Sequence, residues 1–115
     1  MSLLIPGINS FSDLADDQTV LLSSVDNSYI DMILFVNKTD SSIQINLKFI
    51  KVIDVPDPIE NFLAWNLTIP QGESVNVVAK YNLVLWLGDT DSLISFSNGY
   101  NQTYDCTLTY RRMKV

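Results

Sequence analysis

Thirteen Asp and Glu residues are this sequence's candidates for acid–base chemistry, and many gather in short groups: Asp13, Asp16 and Asp17; Asp54, Asp57 and Glu60; Asp89 and Asp91. Two carboxylates facing one another across a cleft would suit glycoside hydrolysis. These groups lie instead in turn-like stretches, and nothing in their spacing sets one carboxylate opposite another. Asp89-Thr90-Asp91, after Gly88, offers alternating oxygens to a hard cation, but the pattern ends after two ligands. Those aspartates are expected to cap turns. The chain has no histidine and a single cysteine, Cys106. Ser-His and Cys-His triads are thereby excluded, as are zinc sites built from Cys and His. With four glycines, the chain has no phosphate-cradling loop of either common kind. The expectation is a protein that is not an enzyme and that binds no metal or cofactor.

Aromatic residues offer a different chemistry. Trp65, Trp86, Tyr81 and Tyr100 could stack on sugar rings or anchor a protein contact. Trp65 and Trp86 each lie among Leu residues, which favours packing in a core or an interface. Three sequons begin at Asn37, Asn66 and Asn101. With no secretory signal expected, they read as polar strand ends.

A chain of 115 residues supports one hydrophobic core, and a composition 47% apolar and 17% charged is that of a folded domain. The net charge of −6 repels a phosphate backbone, so nucleic acid is not an expected partner. Arg111, Arg112 and Lys114 form the one basic cluster, read as a solvated tail or as a local ion-pair contact. An intramolecular disulfide is impossible, and Cys106 is expected as a buried free thiol. The opening segment carries no Lys or Arg and breaks at Pro6, which predicts folding in a cytoplasm. The densest apolar run, Leu83 to Leu87, is far too short to span a bilayer, and no membrane partner is expected.

The elements that must position these residues are strands. Residues 1–18 show no period of two and read as an extended N-terminal arm. Its Leu3, Leu4, Ile5 and Ile8 need burial, either along the edge of their own domain or on a neighbouring subunit. From residue 19 the pattern changes to about eight short β-prone runs. These are Thr19 to Ser23, Asp31 to Val36, Ile43 to Val52, Leu63 to Ile69, Val75 to Val78, Leu83 to Leu87, Leu93 to Ser97 and Tyr104 to Tyr110. Turn chemistry separates them at 37–42, 70–72, 88–91 and 98–99. Alternation puts Ile43, Ile45, Leu47 and Phe49 on one face and Gln44, Asn46 and Lys48 on a wet one. Tyr104, Cys106, Leu108 and Tyr110 likewise share a face. The predicted fold is an all-β antiparallel sandwich, jelly-roll-like, spanning 19–115. Pro56 and Pro58 mark a protruding loop over 54–61, which is either a crossover between sheets or a candidate contact with another protein.

The ordered turn motifs carry a resemblance. Leu4-Ile5-Pro6-Gly7-Ile8, Phe35-Val36-Asn37-Lys38-Thr39, Thr68-Ile69-Pro70-Gln71-Gly72-Glu73-Ser74, Leu85-Trp86-Leu87-Gly88-Asp89 and Leu108-Thr109-Tyr110 follow one another over most of the chain. In this series the sequence resembles small virion structural proteins of tailed bacteriophages. It departs from them in its Pro56-Asp57-Pro58 loop and its basic C-terminus. The resemblance implies a capsid decoration or cement protein, with neck, tail or baseplate placement or a glycan- or receptor-binding module as alternatives. Expected partners are other virion proteins and copies of itself in a homo-oligomer. The residues expected at the interface are Leu3, Leu4, Ile5, Ile8, Pro56, Pro58, Arg111 and Arg112.

Overall fold

The computed structural model describes residues 3–23, 27–51, 59–88 and 90–114. Among these, nine strands and one helical turn follow in the order β1 (Leu3–Leu14), β2 (Thr19–Ser23), β3 (Ser28–Val36), β4 (Ile43–Lys51), β5 (Ile59–Ile69), β6 (Ser74–Asn76), α1 (Val77–Lys80), β7 (Trp86–Leu87), β8 (Ser92–Ser97) and β9 (Tyr104–Lys114). One sheet has the order β1-β9-β3-β6, with β7 also on β3; the other has β2-β8-β4-β5. Every pairing is antiparallel. Strands that follow one another mostly change sheets, so the two sheets are wound together as a jelly roll, the architecture expected from the sequence.

The stretch expected as an arm is a twelve-residue strand, paired with β9 from Leu3 opposite Lys114 to Leu14 opposite Tyr104. Residue 18 therefore separates two strands of one sandwich. Period two is hidden here because Pro6, Gly7, Asn9 and Ser10 dilute the apolar pattern, and pairing is set by the partner strand instead. Gly7 is required by a close approach. The Tyr110 ring lies over it, and a Cβ at this position would stand 2.6 Å from the Tyr110 hydroxyl oxygen.

The core lies between the sheets. Ile30, Ile33, Phe35, Tyr104, Cys106 and Leu108 reach it from the first sheet, and Leu21, Ile43, Ile45, Leu47, Ile69 and Leu93 from the second. Phe35 meets Tyr104 edge to face, with ring centroids 5.6 Å apart. The Tyr104 hydroxyl and the Ser95 hydroxyl lie 2.7 Å apart, tying β9 to β8 through the apolar interior. Asn9 Nδ2 donates to the Leu21 carbonyl at 2.9 Å, a second tie between sheets. Cys106 is buried and free, as expected.

Two local expectations fail for identifiable reasons. Val75 to Val78 reads as a strand, yet only Ser74–Asn76 is one, and Val77 begins a helical turn that buries its side chain in the core. Tertiary burial overrides the β preference of the Val pair, and Asn82 in the left-handed region (φ 52°) follows the turn. The run from Leu83 narrows in the same way to Trp86–Leu87. In β4 the supposed wet side is not wet: Asn46 is fully buried and Lys48 nearly so. β4 is an inner strand, and larger side chains from β5 and β8 cover its outer face.

The turns behave as their residues predict. Asn37 is buried, donating through Nδ2 to the carbonyls of Ser41, Ile69 and Pro70 and accepting from the Thr39 N–H and hydroxyl. In the turn after Ile69, the Glu73 N–H donates to the Pro70 carbonyl, with Gly72 at φ 71°. Asp91 is buried and its Oδ2 accepts the Gly88 N–H at 2.8 Å, the turn-capping role expected of it.

Candidate functional site

Two exposed aromatic clusters lie on the outer faces of the two sheets, and β-bulges build both. On the first sheet, Pro6 stands opposite Arg111, Arg111 opposite Tyr29, and Tyr29 opposite Trp86. The four residues form a row across four strands. A register shift between Ile30 and Met32 leaves Asp31 as an extra residue. This bulge keeps Ile30 and Ile33 both in the core while Asp31 turns outward beside Arg111. The guanidinium engages that carboxylate through Nε at 3.1 and 3.2 Å and Nη2 at 2.9 Å. It also lies over the Tyr29 ring at 4.9 Å, and Tyr29 meets the Trp86 ring at 5.0 Å. Arg111 is thus held by an ion pair and a π face at once. Leu4 and Ile8 continue the face along β1, with Ile8 68% exposed.

This arrangement divides the residues expected at the interface. Leu4, Ile8 and Arg111 share the outer face of the first sheet. Ile5 and Arg112, paired with each other, alternate to the other side, where Arg112 is half-buried. Leu3 is placed opposite Lys114, with its side chain outside the described residues, and Pro56 and Pro58 also lie outside them. Arg111 and Arg112 belong to a paired strand, so the solvated-tail reading of the basic cluster is corrected in favour of the ion pair.

The second cluster is on the outer face of the other sheet. Leu47 stands opposite Ala64 and Lys48 opposite Phe62, leaving Leu63 extra; Ile45 stands opposite Leu67, so Trp65 and Asn66 together oppose Asn46. Simple alternation would send Leu63, Trp65, Leu67 and Ile69 to one face. The two bulges cancel in phase, so Leu67 and Ile69 stay in the core and Trp65 is turned out. Trp65 is 62% exposed and packs edge to face on Phe62, 46% exposed, with centroids 4.6 Å apart. Phe96 adjoins Phe62 at 6.5 Å. The two tryptophans expected in a core or interface therefore both stand on the surface, Trp65 by its bulge and Trp86 on a two-residue edge strand.

A ring of three asparagines fixes the Trp65 bulge. Asn46 Nδ2 donates to Asn98 Oδ1 at 2.7 Å, Asn98 Nδ2 donates to Asn66 Oδ1 at 2.7 Å, and the Asn66 backbone N–H donates to Asn46 Oδ1 at 2.8 Å. Asn66 is held in the left-handed region at φ 52°. Beside the ring, Lys48 Nζ meets Glu60 Oε1 at 3.1 Å and lies 6.0 Å from the centre of Phe96. Tyr81 and Tyr100 are exposed but belong to neither cluster's ring contacts. Among the described residues, no group of three or more Cys, Asp or Glu side chains is placed to hold a metal ion, and no helix is long and apolar enough to cross a membrane.

No family model matches the chain, and no curated protein matches it. Among solved structures it is similar to a chain of the Bacillus endospore appendages described as a novel family of disulfide-linked pili. The match has a TM-score of 0.52 and 9% identity, covering 99% of this chain and 89% of that one. At that identity the likeness is one of fold.

Proposed function

We propose that this chain is a non-enzymatic structural subunit that binds copies of itself and neighbouring proteins in a larger assembly, and that the assembly is a tailed-phage virion, with the chain as a capsid decoration or cement protein. The observation that carries the assembly reading is the row Pro6, Arg111, Tyr29 and Trp86, flanked by Leu4 and Ile8. An exposed face with a rigid arginine within its row and a tryptophan at the row's end has the composition of an interface. The resemblance of the turn series to that of virion proteins supports the phage placement, with neck, tail or baseplate as neighbouring possibilities. A sequence without histidine supports a role outside catalysis.

A second reading, a subunit of a filamentous appendage, is favoured by the shared fold with the pilus chain. Disulfide linkage does not carry over with it, because the single cysteine is buried between the sheets. The filament reading requires self-association and the decoration reading is compatible with it; light scattering of the purified protein measures it. Wild-type protein is expected as an oligomer, with Trp86→Ala and Ile8→Glu lowering its mass while circular dichroism is unchanged. A monomeric wild type, at concentrations up to about 100 μM, would remove self-assembly and the filament reading and would leave decoration of a different protein. Electron microscopy of the assembled protein separates filaments from closed rings, and co-sedimentation with phage shells tests decoration. Deleting the first dozen residues is unsuitable here, since that removes β1 from its sheet.

A further inference from the structure

The second cluster has no part in the proposed assembly face, being on the opposite sheet, and its construction is costly. A fully buried amide, Asn46, is spent on pinning a bulge; a non-glycine residue is held at φ 52°; and Trp65 is taken out of phase with the core-facing Leu67 and Ile69. Strained backbone and bulges of this kind gather where a side chain must be aimed. What they aim is an aromatic pair beside side-chain amides.

We infer that Trp65 and Phe62, with the amides of Asn66 and Asn98, form a binding site for a neutral saccharide. A pyranose ring has an apolar C–H face that packs on an aromatic ring and a rim of hydroxyls that both donate and accept. Amides match that rim, since each offers an acceptor and two donors. Asn66 Oδ1 and Asn98 Nδ2 satisfy one another, which orients both exposed amides. Lys48, which stands opposite Phe62, is paired with Glu60 at 3.1 Å, so among the described residues its charge is already answered and the platform suits an uncharged ligand. The site needs no rearrangement before binding, because Phe62 and the asparagine ring already hold Trp65 in place.

Maltohexaose, cellohexaose and chitohexaose are the probes, titrated against tryptophan fluorescence and checked by calorimetry. Binding of at least one is expected, weakened about tenfold or more by Trp65→Ala and also weakened by Phe62→Ala and Asn98→Ala. Trp86→Ala is expected to lower the oligomer mass while leaving saccharide affinity unchanged, so this site and the assembly face fail or stand separately. No response to any of the three at about 10 mM would overturn the inference, as would binding that survives Trp65→Ala. If Trp65→Ala lowers the oligomer mass and no saccharide binds, the face belongs to a second copy of the chain and the inference is wrong.

Discussion

The side-chain oxygen of buried Asn46 accepts the backbone N–H of Asn66, a side-chain-to-backbone bond between β4 and β5 at the bulge that interrupts their ladder. The same amide donates to Asn98 and, at 3.4 Å, to the Phe96 carbonyl. An apolar residue at 46 would leave the Asn66 N–H and the Asn98 side-chain oxygen without these partners.

Asn46→Leu is therefore expected to destabilise the fold by about 2–4 kcal/mol. Chemical denaturation gives that value. A loss below about 0.5 kcal/mol would mean that the ring of asparagines does not hold the bulge.

Gly7→Ala is expected to destabilise by about 1–3 kcal/mol, since the added methyl meets the Tyr110 ring. Combining it with Tyr110→Ala should recover much of the loss. The double-mutant cycle in thermal unfolding reads the coupling directly.

Burial pushes the Cys106 thiol up to about 12. The folded protein is expected not to react with a thiol reagent at pH 8, and to react fully in denaturant. Rapid modification of the native state would place this thiol at the surface.

Tyr104→Phe removes the hydroxyl that bonds Ser95 and leaves the Ser95 oxygen buried beside an apolar ring. The expected loss is about 1–2 kcal/mol. Burial also raises the Tyr104 phenol, against the opposing hydrogen bond from Ser95, so its ultraviolet titration should appear only as the protein unfolds in alkali.

Lys38 and Asp105 pair at 2.8 Å on the outer face of the first sheet. Partial burial pushes the Asp105 carboxyl up, but the hydrogen bonds from Lys38 and the Asp13 N–H, with the charge of Lys38, outweigh it and leave the carboxyl below its ordinary value of 3.8. The hydrogen bond and charge of Asp105 raise Lys38 above 10.5. The depressed acid stabilises above 3.8 and loses that contribution as pH falls through its native value; the raised base stabilises below 10.5 and loses it as pH rises through its native value. Asp105→Asn is expected to lower the thermal midpoint at neutral pH and to flatten its fall at both extremes. Salt should weaken the effect, because Lys38 is exposed.

Much of the fold was legible because alternation and turn chemistry point to the same strands. Thr19 to Ser23 matches its strand at both ends, and the shared inward face of Tyr104, Cys106 and Leu108 is present. The candidate sites were hidden for one recurring reason: period-two reading assumes regular register, and the bulges in β3 and β5 change it. Phe62 and Trp65, three apart, share an outer face only because of Leu63. The available clue was Asn66 beside a tryptophan, a residue type that tolerates the left-handed backbone. Asn46 was read as solvent-facing because its type is polar, whereas burial followed from the central place of β4 and full hydrogen bonding made that burial tolerable.

The pairing of β1 with β9 also governs timing. Leu3 finds its partner at Lys114, and the row from Pro6 to Trp86 exists only once β9 lies between β1 and β3. During synthesis, β1 and β3 must wait for the last described strand before either gains that neighbour. The first sheet closes only after the chain through residue 114 has left the ribosome, with a loop of most of the chain to close at that moment. Until then β1 and β3 each lack a ladder partner along the edge that β9 will fill, and a truncated chain lacking β9 would present two open edges to its neighbours.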